Sequence, residues 1–130
     1  MKQRKTKYRA WDKENKCMIT FNNMERCDVS FYEMARGKYG FILMQYIGKK
    51  DINKKEIYEG DIISYSSKRI GSKHKTKEIA FIDYCPDSLE YKLYFNSKKT
   101  IYNGVINLFK YNEIGGKIIG NIYKNKELLK

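Results

Sequence analysis

Short hydrophobic stretches alternate with polar turns along most of this chain, and turns recur about every 8 to 12 residues, as in all-β barrels and sandwiches. The first two stretches, YRAWD and CMITF, flank a polar run in which Asp12 and Asn15 suit a turn, so they predict an N-terminal hairpin. Residues 43–63 then carry two strand-like runs and two turns, one of them a tight corner at Glu59-Gly60-Asp61. The pattern therefore predicts a protein built mainly of β-strands.

Later hydrophobic runs predict the remaining strands. They cover residues 41–47, Glu56–Tyr58, 62–65, 78–84, 91–95, 101–109 and 117–123. Gly48 is expected to end the first of these, and the turn CPDSLE is expected to join 78–84 to 91–95 in a hairpin. A strand order that bends at the Gly-Asp corner, before a long loop and a hairpin, favours an SH3-like, partly open barrel.

Residues 22–40 lack the alternation and contain the one predicted helix. Ser30 and Glu33 form an S-x-x-E arrangement, in which each side chain can bond the other's backbone N–H. The helix would cover residues 31–36 and end at Gly37, because glycine readily adopts the left-handed conformation that closes helices. We therefore expect a mainly β fold with at most one short helix.

A length of 130 residues suits one compact domain with an appended piece. We expect residues 1–40 to form the N-terminal hairpin and an irregular, short-helix extension, and residues 41–130 to form the SH3-like core. Trp11 is predicted to be a buried anchor of the hairpin rather than a stacking platform, and Leu128 and Leu129 are expected to dock on the body. No apolar run approaches the roughly 20 residues that span a bilayer, so we expect no membrane partner and a cytoplasmic location.

The formal net charge of +12 adds one functional signal, because a positive field of this size attracts phosphate backbones and anionic surfaces. However, the chain has 22 Lys and only 5 Arg, although Arg is favoured for bidentate recognition of bases and phosphates. An AT-rich gene would also enrich Lys, Ile, Tyr and Asn without any binding partner. The sequence is compatible with either origin of the charge, a binding signal or coding bias.

Few residues suit catalysis or metal binding. Three cysteines at irregular spacing, with no CxxC and a single His, indicate a reducing compartment and favour neither a disulfide framework nor a metal site. They are Cys17, Cys27 and Cys85. Asp87, Glu90 and Lys92 resemble part of a metal-dependent nuclease site, but their spacing places all three in one hairpin turn. We therefore expect no metal and no cofactor.

Two further groups are candidate catalytic residues. Glu59 and Asp61 flank Gly60, and acids at such a corner more often accept hydrogen bonds from backbone N–H groups than act as an acid pair. His74 lies among lysines and has no carboxylate or thiol near it in sequence to form a dyad. The sequence thus predicts no catalytic residue and a protein that is not an enzyme.

Four segments are distinctive when they are read together. They are YRAWD at residues 8–12, LMQYIGKKD at 43–51, KEIYEGDII at 55–63 and IIGNIYKNKELL at 118–129. Together they resemble the YopX family of small proteins, which phages and prophages of Gram-positive bacteria encode. The resemblance implies a mainly β, SH3-like structure, a cytoplasmic setting in the bacterial host and no assigned biochemical role. The family-motif residues, expected to be structural, are Arg9, Trp11, Asp12, Gln45, Tyr46, Gly48, Tyr58, Glu59, Gly60, Asp61, Gly120 and Asn121.

The chain departs from the family pattern at two positions. Relatives usually carry Gly-Lys before the second strand, whereas this chain has Lys54-Lys55, so the turn is expected to differ in type. Relatives often show Asn-Pro-Glu-Leu-Leu near the end, whereas here Lys126 occupies the proline position. The second departure leaves the docking of the tail less constrained.

Two functions fit these observations. The first is a non-enzymatic protein-interaction module, whose partner is an unknown protein or a second copy in a homo-oligomer. The alternative is a nucleic-acid-binding accessory protein that uses an exposed, mobile basic loop at residues 66–77 and the N-terminal arm. Its candidate contacts are Lys68, Arg69, Lys73, His74, Lys75, Lys77, Arg4, Lys5 and Lys7.

Overall fold

The computed structural model describes residues 3, 5–68, 73, 75–95, 100–102 and 116–129, with 67, 68, 75, 76, 95 and 100–102 described by their backbone. This part of the chain contains nine strands, one α-helix and three short 3-10 segments. The strands are β1 Tyr8–Asp12, β2 Cys17–Ile19, β3 Phe41–Lys50, β4 Glu56–Tyr58, β5 Asp61–Lys68, β6 Lys75–Cys85, β7 Glu90–Phe95, β8 Thr100–Tyr102 and β9 Lys117–Asn121. The helix α1 is Phe31–Ala35, and the 3-10 segments are Phe21–Arg26, Lys38–Gly40 and Lys126–Leu129.

The strands form two antiparallel sheets, and one of the sheets curls into a half-barrel. Their orders are β2-β1-β3-β4 and β8-β7-β6-β5-β9. The predicted mainly β, SH3-like and partly open barrel is confirmed, and the pairing of β1 with β2 confirms the N-terminal hairpin. Because β1 also pairs with β3, the four-stranded sheet takes strands from both sides of the expected boundary after residue 40. The division into two parts stays a prediction.

The expectation that Gly48 ends a strand is wrong, because β3 continues to Lys50. Tyr46 pairs with Tyr58 and Lys50 with Glu56, so the register shifts between these pairs. The extra residues on β3 form a bulge, in which Gly48 adopts a φ of 88°. Glycine here bends the strand and does not stop it.

The basic segment at residues 66–77 is not all loop, which corrects a second prediction. β5 continues to Lys68 and β6 begins at Lys75, and these two lysines are directly opposite each other in the register. Hydrophobic alternation could not reveal this ribbon, because its residues are almost all polar. Between its two ends the structure describes Lys73, which is exposed.

The other predicted strands agree with the structure, with small shifts at their ends. β4 matches its prediction, and β6 and β7 form the expected hairpin, with Phe81 opposite Tyr94. β9 ends at Asn121, earlier than expected, because residues 122–124 form a turn. The first two residues of the strand predicted at 101–109 lie in β8, and the others lie outside the described residues.

Buried side chains form three clusters. They are Ile57, Ile63, Tyr65, Ala80, Ile82 and Leu93; Ala10, Met34 and Phe41; and Ile62, Phe81 and Tyr94. Leu128 and Leu129 pack against the third cluster, so the predicted docking of the tail is confirmed. Trp11 is buried and stacks on Tyr123 with ring centroids 6.0 Å apart, which agrees with its predicted role as an anchor.

The short helix α1 forms where the sequence predicted it. The Ser30 hydroxyl accepts a hydrogen bond from the Glu33 N–H at 3.2 Å and donates one to the Glu33 carboxylate at 3.3 Å. Gly37 follows the helix in the left-handed conformation, with a φ of 74°. Met34 is 1% exposed and packs into the cluster with Ala10. Tertiary packing and the cap thus hold a helix too short to be stable alone.

The two departures from the family pattern have structural consequences. Lys54 adopts a left-handed φ of 64°, a conformation that glycine reaches at lower cost. The expected difference in turn type from relatives stays a prediction. Lys126 begins the last 3-10 segment, where the fixed φ of proline is favourable.

We expect Ser30→Ala to lower the free energy of unfolding by about 1 kcal/mol, because the Glu33 N–H loses its acceptor at the start of α1. Urea denaturation followed by tryptophan fluorescence measures this loss. Thr20→Ala is the matched control, since Thr20 precedes the 3-10 segment Phe21–Arg26 but makes no side-chain cap hydrogen bond. Equal losses in the two variants would contradict a capping role for Ser30.

Candidate functional site

An ion pair between Arg9 and Asp61 joins the two sheets. Arg9 lies on β1 and Asp61 begins β5, and the distance from Nη2 to Oδ1 is 2.7 Å. Their side chains are 14% and 2% exposed. Each of these charges lies in a strand with apolar neighbours, and a charge that is buried in this way requires a partner. The contact between the two sheets at this point therefore depends on both residues.

Neighbouring groups at the corner of residues 58–61 complete this ion pair. Asp61 Oδ2 accepts a hydrogen bond from the Tyr58 N–H at 2.8 Å, and the Glu59 carbonyl accepts one from Arg9 Nη2 at 3.2 Å. The guanidinium carbon lies 4.9 Å from the centroid of the Tyr58 ring, a cation–π distance. Burial raises the pKa of the Asp61 carboxyl, whereas Arg9 and the Tyr58 N–H act to lower it.

Glu59 has surroundings of its own. Its N–H donates to the Gln45 carbonyl at 3.0 Å, and the Tyr91 hydroxyl, which donates to the Gln45 side-chain oxygen at 3.4 Å, acts to lower the pKa of the Glu59 carboxyl. Burial raises the pKa of Glu59, and the nearby carboxylate of Asp83 raises it further. Glu59 and Asp61 therefore have separate partners at the corner.

Gly60 connects the corner to two other parts of the chain. Its N–H donates to the Ile82 carbonyl at 2.6 Å, and its carbonyl accepts from the Ile122 N–H at 2.9 Å. It adopts a φ of 85°, and a Cβ at this position would lie 3.3 Å from the Met44 sulfur. Both the conformation and the close packing favour glycine here.

Other residues of the family-like segments close turns. A Cβ at Gly120 would lie 2.6 Å from Oδ1 of Asn125, which accepts a hydrogen bond from the Asn121 N–H at 3.2 Å. The Asp12 carboxylate accepts hydrogen bonds from the Asn15 side chain and backbone, which lower its pKa and close the β1–β2 hairpin. The structure thus brings Arg9, Tyr58 and the Glu59-Gly60-Asp61 corner together at the contact between the two sheets, which we call the joint. Asp12, Gly120 and Asn121 border turns, whereas the other family-motif residues lie within β1 and β3: Trp11, Gln45, Tyr46 and Gly48.

The structure separates the predicted nucleic-acid contacts into groups. Lys5, Lys73 and Lys77 are exposed, and Lys68 and Lys75 lie opposite each other in the β5–β6 ribbon. Arg4, Arg69 and His74 lie outside the described residues. Lys7 is placed elsewhere and has a carboxylate partner: its Nζ lies 3.0 Å from Glu56 Oε2, and this hydrogen bond raises the pKa of Lys7.

The nuclease-like residues remain in one hairpin, as the spacing predicted. Asp87 lies in the turn between β6 and β7, and Glu90 begins β7. Lys92 Nζ lies 3.7 Å from Glu90 Oε1. Across the described residues, no group of three or more His, Cys, Asp or Glu side chains has an arrangement that could hold a metal ion. Nor does that part of the chain contain a helix with the length and apolar character needed to cross a membrane.

Sequence reasoning missed the ion pair and the cavity beside it. The cavity has a volume of about 410 Å³, and its walls come from β1, β4, β5, β9 and the segment after β2. One signal was available, because Arg9 lies between Tyr8 and Ala10 in a predicted strand and Asp61 directly precedes the apolar pair Ile62-Ile63. Which opposite charges would meet could not be deduced, since they lie far apart in the chain.

A family model described as YopX protein matches residues 7–130. The chain belongs to the YopX family. The resemblance that the four segments indicated is therefore confirmed across almost the whole length. No curated protein matches the chain.

The fold of this YopX-family chain is similar to that of protein EF1440 from Enterococcus faecalis, which is known from a crystal structure. The TM-score is 0.62, the sequences are 21% identical, and the match covers 98% of this chain and 100% of the other. The structural similarity shows a common fold, and at this sequence identity it shows nothing about activity.

We expect Arg9→Met to lower the free energy of unfolding at neutral pH by about 3 to 5 kcal/mol, because it leaves the Asp61 carboxylate buried without a cation. Adding Asp61→Asn should restore most of this loss, since the amide oxygen can still accept from the Tyr58 N–H. Denaturation of the wild type, both single variants and the double variant gives the coupling free energy. Lys7→Met, which breaks a more exposed pair, should cost less than about 1 kcal/mol.

The loss caused by Arg9→Met should also shrink as the pH is lowered. Burial raises the pKa of Asp61 in the folded protein, and removing Arg9 raises it further. Above the folded pKa, the variant loses the full free energy that the buried Asp61 carboxylate costs. As the pH falls below that pKa, the carboxyl becomes protonated and this loss disappears. A loss that is independent of pH, or additive single-variant losses, would contradict a coupled pair.

Proposed function

We propose that this YopX-family protein is a non-enzymatic protein-interaction module, encoded by a phage or prophage, that acts in the cytoplasm of the bacterial host. The main support is three exposed aromatic side chains of α1 and the segment after it, which we call the aromatic patch: Phe31, Tyr32 and Tyr39. They are 46%, 68% and 61% exposed. Large aromatic residues are enriched where proteins bind other proteins, since they bury a large area at a small entropic cost.

The aromatic patch has a rigid support. Met34 anchors α1 in the core, and the Ser30 cap fixes the start of the helix. Phe31 also packs edge-to-face on Tyr8 of β1, with ring centroids 5.0 Å apart. A surface that is already ordered loses little conformational entropy on binding, which favours recognition by this patch.

Cations beside two of the rings favour an acidic partner. The Arg36 guanidinium lies 5.3 Å from the Tyr32 ring centroid, and Lys38 Nζ lies 5.1 Å from that of Tyr39 and 3.7 Å from the Glu33 carboxylate. The chain as a whole carries a net charge of +12. The patch is therefore complementary to a partner protein with an apolar contact surrounded by acidic residues.

The corner carboxylates support a non-enzymatic role. Both oxygens of Asp61 accept hydrogen bonds within the joint, and the ion pair with Arg9 connects the sheets. An acid whose oxygens are occupied in this way is a structural residue rather than a proton donor or acceptor for a substrate. Asp87, Glu90 and Lys92 likewise lie in a single hairpin and not on the neighbouring strands that a two-carboxylate metal site requires.

We expect the double variant Tyr32→Ala/Tyr39→Ala to bind the partner about 30-fold more weakly than the wild type, as for the loss of one interface hot spot of about 2 kcal/mol. The partner is first isolated from a nuclease-treated lysogen extract with tagged protein and identified by mass spectrometry. Titration of the purified partner against both proteins then gives the two dissociation constants.

Leu89→Ala is the matched control, because Leu89 is 77% exposed in the β6–β7 turn and lies outside the aromatic patch. It should bind the partner as the wild type does. Capture of no protein, equal binding by the double variant, or capture of a second copy of this chain alone would each contradict the proposal.

The β5–β6 ribbon favours nucleic-acid binding as a second candidate function. Lys68 is directly opposite Lys75, and like charges in that register destabilise a strand pair. Ser66 and the exposed Lys77 occupy the neighbouring same-face register position. A phosphate backbone along the ribbon would offset the repulsion, and a two-stranded ribbon fits the major groove of DNA.

If the ribbon binds nucleic acid, Lys68→Gln/Lys75→Gln should reduce the slope of log affinity against log salt concentration by about 2, because two phosphate contacts are lost. Fluorescence anisotropy with labelled single- and double-stranded DNA and RNA measures this slope. Lys13→Gln/Lys16→Gln in the exposed β1–β2 turn changes the net charge equally and should leave the slope unchanged. Absence of binding at low salt, or equal effects of both double variants, would exclude the ribbon as a nucleic-acid site.

A further inference from the structure

The cavity beside the ion pair has the size of a small-molecule site. Its volume of about 410 Å³ lies within the range of roughly 300 to 1,000 Å³ that is typical of ligand pockets. Its lining includes Arg9 and Tyr58, which are half-buried, and Phe21 and Lys55, which are exposed. The walls belong to several strands and are therefore largely preformed.

The charges around the cavity leave a positive excess. Two lining carboxylates are already paired, Asp61 with Arg9 at 2.7 Å and Glu56 with Lys7 at 3.0 Å. Lys55 also lines the cavity and forms no ion pair with any residue that the structure describes. An anion that enters the cavity would therefore meet an unpaired cation.

Arg9 contributes a second feature that favours an anionic ligand. Its Nη2 atom makes the contacts to Asp61 and Glu59, but its Nε is buried and has no hydrogen-bond partner among the described residues. Native proteins rarely leave a buried donor of a charged group unsatisfied. Nε is covered and Nη2 keeps its contacts to Asp61 and Glu59, so an anion in the cavity acts on the Arg9 guanidinium through its charge.

We propose that this cavity binds a small molecule in which a carboxylate or phosphate group is attached to a planar apolar group. The anionic oxygens contact Lys55, and the Arg9 guanidinium, which lines the same cavity, adds a second positive charge. The planar part packs against Phe21 and Tyr58, which also line the cavity. This site is separate from the aromatic patch and does not depend on the proposed protein partner.

Nitrogen-15 NMR of the full chain tests the site directly, because the Nε–Hε group of arginine gives its own resonance. The probes are phenyl phosphate and benzoate, with benzyl alcohol as an uncharged molecule of similar shape. We expect saturable shifts of the Arg9 Nε–Hε signal and of the Phe21 and Lys55 amides at millimolar concentrations of one or both anions. The stronger of the two anions identifies phosphate or carboxylate as the preferred group.

Lys55→Gln should weaken binding of that anion about 5-fold, which corresponds to one exposed charge interaction. Lys54→Gln is the matched control, because Lys54 is adjacent and exposed but does not line the cavity. It should leave the dissociation constant unchanged. Equal shifts with benzyl alcohol, an Arg9 Nε–Hε signal that no probe moves, or equal effects of the two lysine variants would each overturn the proposal.

Discussion

The ion pair between Arg9 and Asp61 is the constraint on which the rest of the structure depends. Burial of both charges is costly, and their attraction offsets the cost only when further hydrogen bonds satisfy the remaining donors and acceptors. Tyr58 and Glu59 provide those groups from their backbone, so the corner that carries Asp61 must fold tightly around it. The position of one arginine on β1 thereby determines the path of the chain between β4 and β5.

The corner at residues 59–61 also connects the ion pair to the end of the chain. Because Gly60 bonds both Ile82 on β6 and Ile122 after β9, the corner also positions these two parts of the chain. Tyr123, which follows Ile122, stacks on Trp11 of β1, so the end of the chain also contacts the strand that carries Arg9. The family segments at residues 8–12, 55–63 and 118–129 are far apart in sequence but meet at this joint, so the signature that identifies the family is largely a signature of one tertiary contact.

The features that could be predicted from sequence are those with local causes. Alternation and turn residues located β1, β2, β4, β6 and β7, and the Ser30-Glu33 pair located α1, because each depends on neighbours within a few residues. The wrong predictions concern non-local pairing. Gly48 lies in a bulge and does not end the strand, because β3 continues alongside β4. The polar residues 66–68 and 75–77 form a ribbon and not a loop, because they continue the pairing register of β5 and β6. The ion pair and its cavity depend on residues about 50 positions apart, for which a single sequence gives no pairing rule.

Tyr39 lies outside the four family segments, and its conformation bears on our proposal that function lies outside the joint. Tyr39 adopts a left-handed φ of 59° between Gly37 and Gly40, which are also left-handed. For a bulky residue this conformation is strained by about 1 to 3 kcal/mol. The strain is not offset by burial, since Tyr39 is 61% exposed. Leu89 combines a φ of 54° with 77% exposure in the β6–β7 turn, so strain and exposure alone do not indicate a binding residue. The partner binding that we propose would give the Tyr39 ring a role that its small contribution to folding does not provide.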